Sequence, residues 1–246
     1  MLIEQTLERL RSLKLHGMAD ALARWRDDTS RAALEPADLV GLLADAEWST
    51  RDSKKLSSRL RQAQLRFSSA CPEDVDLSRP RGLSRQLLSE LVSCSWVARQ
   101  RNVIITGPTG TGKSYLACAL ANSACRAGHS TFYRRASRLF DEAAHARADG
   151  SWLDFLARVA KVKVLVIDDF GLEPLGAPDR RALLELLDDR YDVSSTIVTS
   201  QLEPKLWHGV IGDPTLADAI VDRLVHNAER IGLAGDSSRK VRPPTK

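Results

Sequence analysis

No stretch of this 246-residue sequence runs apolar for the ~18 residues that a membrane-spanning helix requires. The first twenty residues, MLIEQTLERLRSLKLHGMAD, mix acids and bases from the fourth position and lack an uninterrupted apolar core. Neither a membrane partner nor a signal peptide is therefore expected. Cysteine is scarce as well. Cys71, Cys94, Cys118 and Cys125 form no CxxC pair and no cluster with histidine, which argues against a disulfide framework or a zinc site and for a reducing, cytoplasmic setting. Internal repeats and low-complexity segments are also missing. What remains, 43% hydrophobic and 28% charged residues, fits a globular protein with a sizeable core and one or two domains.

The formal net charge is only +4, but it is unevenly spread. Residues 51–66, RDSKKLSSRLRQAQLR, hold six bases (Arg51, Lys54, Lys55, Arg59, Arg61, Arg66) against the single acid Asp52. The tail adds Arg239, Lys240, Arg242 and Lys246 without an acid. Two basic blocks on a balanced chain suit a phosphate backbone.

The first 67 residues read as helices. Ile3, Leu7 and Leu10 keep helical spacing, as do Leu15, Met18, Leu22 and Trp25. Pro36 opens a third helix bearing Leu39, Leu43 and Ala46. In the basic block, Leu56, Leu60, Ala63 and Phe67 form an apolar stripe beside a basic one of Lys55, Arg59, Gln62 and Arg66. The basic stripe has three open readings: a solvated face, a DNA contact or a subunit contact. The stretch 71–82, CPEDVDLSRPRG, has two prolines and no helical period, so it reads as a linker. A helix is expected from Leu83 to Arg99. Beyond it, strands and helices alternate, which predicts a parallel sheet with crossover helices.

The segment RNVIITGPTGTGKSYLACALANSACRAGH carries the chemistry. Gly107, Gly112, Lys113 and Ser114 match GxxxxGK[ST] between a short apolar strand and an alanine-rich helix, and chance supplies this motif to roughly one chain in a hundred of this length. Glycines let the loop curl so that backbone N–H groups face phosphates, and the helix N-terminus adds its positive end. Lys113 is expected to reach the β- and γ-phosphates of ATP, with the Ser114 hydroxyl on Mg²⁺. Pro108, Thr109, Gly110, Thr111 and Tyr115 complete the expected nucleotide contacts, and Gly128 is placed to end the helix.

In KVKVLVIDDFG a buried β-branched strand ends in Asp168-Asp169. Asp168 is expected to hold Mg²⁺ through water, and Asp169 to polarise the attacking water. A third strand, STIVTSQ, ends in Thr199, Ser200 and Gln201. Gln201 there either contacts the γ-phosphate or the attacking water, or is an ordinary strand-to-loop residue.

These residues, in this order, resemble the AAA+ superfamily and, more narrowly, the IstB-type helper ATPases of bacterial insertion sequences. The blocks LKLHGMADAL, SCSWVARQRNVIITGPTGTGKSYLACAL, VLVIDDFGLEPL, TIVTSQL and IGDPTLADAIVDRLVHNAERI extend the likeness over nearly the whole chain. The resemblance implies an α/β fold: a P-loop AAA+ core with its parallel sheet flanked by helices, behind a small all-helical N-terminal domain. The expected division is 1–70, a linker 71–82, and an ATPase domain 83–246 without a full C-terminal lid. Gln201 stands at the sensor 1 position, where AAA+ proteins often carry Asn, and Asp169 where many carry Glu.

Arg223, on a helix expected from Leu216 to Arg230, resembles the arginine finger that enters a neighbouring subunit's site; a helical i,i+4 pair is the alternative. Arg239 corresponds to sensor 2. The two helices expected at 137–148 and 152–159 resemble the insert of initiator-type AAA+ proteins that lines DNA, which makes Arg134, Arg135, Arg147 and Lys161 candidate DNA contacts. The resemblance implies a Mg²⁺-dependent ATPase that forms a homo-oligomer on double-stranded DNA and assists a cognate transposase. The alternative is a DnaC-like replicative helicase loader that binds single strands.

Overall fold

The computed structural model describes residues 3–27, 35–77 and 82–235. Contacts divide the chain into two compact units, 1–58 and 59–246, and this division falls upstream of the proline-containing stretch 71–82.

The first unit contains α1 (Ile3–Ser12), α2 (His16–Asp27) and the first part of α3 (Pro36–Ala63). Its core is small: Leu7, Ala19 and Leu22 are buried, with Ile3, Leu10, Trp25 and Leu43 packed around them. Gly17 lies so close to α3 that a Cβ there would meet the Ala46 carbonyl oxygen at 2.5 Å. The Met18 N–H donates to Glu47 at 3.2 Å, and Arg51 closes the same carboxylate at 2.6 Å.

The helix expected around Leu56 and Leu60 continues from Pro36 to Ala63 but no further, because Gln64 takes a left-handed φ of 51°. Phe67 and Arg66 therefore lie beyond the helix, and neither extends its stripes. The expected Leu83–Arg99 helix is also broken. It forms α4 (Arg85–Val92), capped by the Ser84 hydroxyl, and the short α5 (Ser95–Ala98), separated by Cys94 at φ 57°.

The second unit is built on a parallel five-stranded sheet in the order β2-β3-β4-β1-β5. The strands are β1 (Val103–Thr106), β2 (Thr131–Arg135), β3 (Val164–Phe170), β4 (Ser195–Ser200) and β5 (Glu229–Gly232). The β-branched runs of β1, β3 and β4 are buried, with core clusters on both faces. One face carries α6 (Lys113–Arg126), whose alanines let it lie close to the sheet. On the other face pack α7 (Ala136–Ala148), α8 (Trp152–Ala160), α9 (Ala177–Asp188), α10 (Trp207–Ile211) and α11 (Pro214–Val225) around the fully buried Trp207. Gly128, at φ 94°, ends α6 as expected: its N–H donates to the Cys125 carbonyl at 3.2 Å and that of His129 to Ala124 at 2.9 Å.

One expectation fails here. The helix read from Leu216 to Arg230 stops at Val225, and Glu229–Gly232 becomes the edge strand beside β1. Asn102 fixes this return. Its buried side chain donates to the carbonyls of Arg223 (2.9 Å) and Leu224 (3.1 Å) and accepts from the Thr196 N–H (2.8 Å). Sheet pairing thus overrides a helical pattern that has only marginal length in its favour.

Arg190 ties the opposite side. Its fully buried guanidinium donates to the carbonyls of Val159 (2.7 Å), Val162 (2.8 Å) and Ser195 (2.6 Å), joining the end of α8 to the start of β4.

Candidate nucleotide site

At the C-terminal ends of β1, β3 and β4 lies a pocket of about 790 Å³, with all its lining residues in the second unit. The loop from β1 to α6 forms its floor. Gly107 has φ 143°, and a Cβ there would lie 2.1 Å from the Leu233 carbonyl oxygen just after β5. Glycine is thus demanded by packing as well as by conformation. Gly110 and Gly112 also have positive φ, 88° and 94°, and they curl the loop into the first turn of α6, whose leading N–H groups have no partner within the helix.

Of the loop residues singled out from sequence, Thr109, Gly110, Thr111, Gly112, Lys113, Ser114 and Tyr115 line the pocket. Gly107 and Pro108 stand behind the lining and hold the lysine: Lys113 Nζ donates to their carbonyls at 2.7 and 2.8 Å.

The two aspartates of β3 play different geometric parts. Asp168 is fully buried. Its Oδ2 accepts from the Tyr133 hydroxyl at 2.5 Å and its Oδ1 from the Thr199 hydroxyl at 2.6 Å. Burial first, and then the Asp168 hydrogen bond, push the Tyr133 phenol well above its ordinary value, so this hydroxyl is a fixed donor. Burial likewise pushes the nearby Cys118 thiol up to about 11.

Consecutive strand residues point to opposite faces, yet Asp169 lines the pocket while its carboxylate shares Arg66 with that of Asp168, which stays buried behind the lining. The register between β3 and β4 shifts between Ile167 and Phe170, and Asp169 has φ 60°, a left-handed conformation that aspartate tolerates better than most residues. Its N–H donates to Thr199 Oγ1 at 2.9 Å. Thr199 therefore bridges both aspartates. Gln201 also reaches the lining.

Two residues with a DNA contact among their readings lie here. Arg66 Nη1 is 3.7 Å from Asp168 and 3.8 Å from Asp169, and Arg135 Nε is 3.6 Å from Asp169. The other basic candidates are scattered. Arg134 pairs with Glu142 at 2.7 Å and stacks on Phe132. Arg147 pairs with Glu185 at 2.9 Å and stacks on Trp152. Arg59 donates to the Cys125 carbonyl at 2.9 Å. Lys54 and Lys55 are exposed on α3, as is Lys161 after α8.

Arg223 is outside the pocket. Asn102, just before β1, binds the Arg223 carbonyl, so Arg223 sits near the end of β1 opposite the phosphate loop, where its side chain pairs with Asp188. Arg239 and the basic tail lie outside the described residues.

The pocket's apolar end was not legible beforehand. Phe67, Val75, Leu83 and Leu233 line it, with the Phe67 ring tilted on Tyr115 at 5.8 Å between centroids. They come from three separated segments, and no local pattern links them. Tyr133 carried no signal at all, whereas Thr199 was visible as a polar residue at an apolar strand's end.

A family model described as IstB-like ATP binding protein matches residues 8–243. The chain belongs to that family. Among its relatives, a protein of Sinorhizobium fredii named as an insertion sequence ATP-binding protein is 48% identical to this IstB-like chain, covering 98% of both. A second from the same bacterium is 43% identical over 99% of this chain and 98% of its own. One named for insertion sequence IS1162 of Pseudomonas fluorescens is 43% identical over 82% of this chain and 87% of its own.

Solved structures share the fold at lower identity. The DnaI crystal structure has a TM-score of 0.57 at 23% identity, covering 69% of this chain and 90% of that one. The DnaC helicase loader has 0.55 at 22%, covering 69% and 99%. The fold of this IstB-like chain, a parallel sheet flanked by helices, is thus shared with both, as expected. Among the described residues no helix is long and apolar enough to cross a membrane.

Proposed function

We propose that this chain is a Mg²⁺-dependent ATPase that assembles on double-stranded DNA and assists the transposase of an insertion sequence. The observation that carries the ATPase part is the convergence of Lys113, Ser114, Asp169 and Gln201 on one pocket at the N-terminus of α6. The insertion-sequence part rests on the relatives' names.

The residues fit ATP and Mg²⁺. A curled N–H-rich loop and a lysine suit a polyphosphate, and the apolar end formed by Phe67, Val75, Leu83 and Leu233 suits a base. Hydroxyl and carboxylate oxygens suit a hard cation. Ser114 and Asp168 would hold Mg²⁺, and Gly107 to Tyr115 the nucleotide. The metal, when bound, supplies charge neutralisation of the phosphates.

The chain's own residues then divide the work. Lys113 exchanges its two loop carbonyls for phosphate oxygens. Tyr133 and Thr199 fix the Asp168 carboxylate. Asp169, aimed inward by the bulge, orients and deprotonates water, and Gln201 holds that water or the terminal phosphate. Arg223, remote from its own pocket, acts on a neighbouring subunit's site, which makes hydrolysis depend on assembly. The helices of the first unit and the basic tail are assigned the DNA or partner contacts, and Arg239 the sensor 2 contact to the nucleotide.

ATP hydrolysis should be measured without DNA, with single strands and with duplex, while light scattering follows assembly size. Duplex-stimulated hydrolysis with growing assemblies is the expected result. Preference for single strands would move the reading to helicase loading. Indifference to both DNAs would end both readings, and a dilute subunit hydrolysing as fast as the assembly would remove the role of Arg223.

A further inference from the structure

The geometry points to Arg66 as a resident counter-cation of the nucleotide site: without nucleotide its guanidinium takes the space between Asp168 and Asp169, and it transfers to the triphosphate when the metal–nucleotide pair enters. The inference rests on the nucleotide reading above but concerns a residue outside every motif. One nitrogen, Arg66 Nη1, faces an oxygen of each aspartate, at 3.7 and 3.8 Å. Two consecutive strand residues can meet one cation only because the bulge at Asp169 turns the second carboxylate towards the first. A cation held by Ser114 and Asp168 would lie next to that guanidinium, and two like charges so close oppose one another.

The arm carrying Arg66 is firmly placed, while its head is loosely held. Ala63 and Ala70 are fully buried on either side, and Phe67 packs on Tyr115 in the first turn of α6. The head makes ion pairs longer than hydrogen bonds and is about a third exposed. Such pairs are easily exchanged, and a triphosphate is a stronger, bidentate-capable partner for arginine than two distant carboxylates. Arg135, 3.6 Å from Asp169, remains to balance that acid when Arg66 leaves.

Full-length wild type, Arg66→Gln and Arg66→Lys, all nucleotide-free, should be titrated with Mn²⁺, with the free ion read by electron paramagnetic resonance. Arg66→Gln should bind Mn²⁺ on the order of tenfold more tightly than wild type, since one like charge leaves the cation's side, and Arg66→Lys should stay near wild type. Equal binding by wild type and Arg66→Gln, including none by either, would overturn the inference. So would a gain that survives adding Asp169→Asn. In EDTA, Arg66→Gln should weaken metal-free ATP binding on the order of tenfold, the loss of one charge-assisted phosphate contact, while Arg66→Lys retains it. Failure of wild type to bind ATP at all would sink the nucleotide reading and the transfer step, leaving the Mn²⁺ comparison to decide the counter-cation. Should Arg66→Gln not fold, the Arg66 Nε–H resonance of wild type must move on adding Mg²⁺–ATP; an unmoved signal overturns the transfer.

Discussion

Replacing Tyr133 by Phe removes one oxygen and keeps the ring in place, and that oxygen donates at 2.5 Å to the fully buried Asp168 carboxylate. A hydrogen bond to a charged group contributes about 1.5–3 kcal/mol, and no water can replace the lost donor at such depth. Taking about 2 kcal/mol, the melting temperature of a unit this size should fall by roughly 4–8 °C. The pH dependence has a definite sign. The folded phenol titrates above its ordinary value of 10.0, chiefly through burial and next through Asp168, so the native state keeps a proton that the unfolded chain releases. The hydroxyl's contribution is therefore complete below about pH 10 and is lost as pH rises further. Urea denaturation of wild type and Tyr133→Phe at pH 7, 9 and 10.5 should show a full deficit at the first two and a smaller one at the third. Thr199→Val removes the other donor to Asp168, 2.6 Å away, and the double variant should be non-additive because both hydrogen bonds serve one carboxylate. A Tyr133→Phe deficit under about 0.5 kcal/mol, the range of ordinary surface changes, would refute the reasoning, as would a deficit that widens at high pH.

Gly107→Ala would force a Cβ to 2.1 Å from the Leu233 carbonyl oxygen at φ 143°. It should cost at least about 2 kcal/mol and abolish ATP binding, as calorimetric melts and nucleotide titration would show. Arg190→Met would leave the carbonyls of Val159, Val162 and Ser195 without this donor. A loss of roughly 3 kcal/mol in denaturant unfolding is expected, and a neutral result would mean those carbonyls find other partners. Arg223→Ala should reduce hydrolysis by the assembled protein on the order of 10³-fold while ATP binding by the dilute chain persists, measured across a concentration series.

Local chemistry made the phosphate loop legible from the sequence. Glycine spacing, a lysine and a hydroxyl between an apolar strand and an alanine-rich helix encode backbone curl and α6 packing within a few residues. The β-branched runs of β3 and β4 were readable for the same reason: burial on both faces leaves a continuous apolar signature. The N-terminal helices followed from their 3.6-residue period.

Tertiary structure decided what depends on partners distant in the chain. Glu229–Gly232 is a strand because β1 offers an open edge and Asn102 ends α11, although its pattern continues a helix. Asp169 faces the pocket because β3 slips register against β4. Tyr133, Thr199 and Arg66 come from three separate segments to surround the two aspartates. Charge along the chain marked Arg66 and Arg135 as basic, but only the packing of residues 63–70 on α6 and the run of β2 beside β3 turned those charges inward.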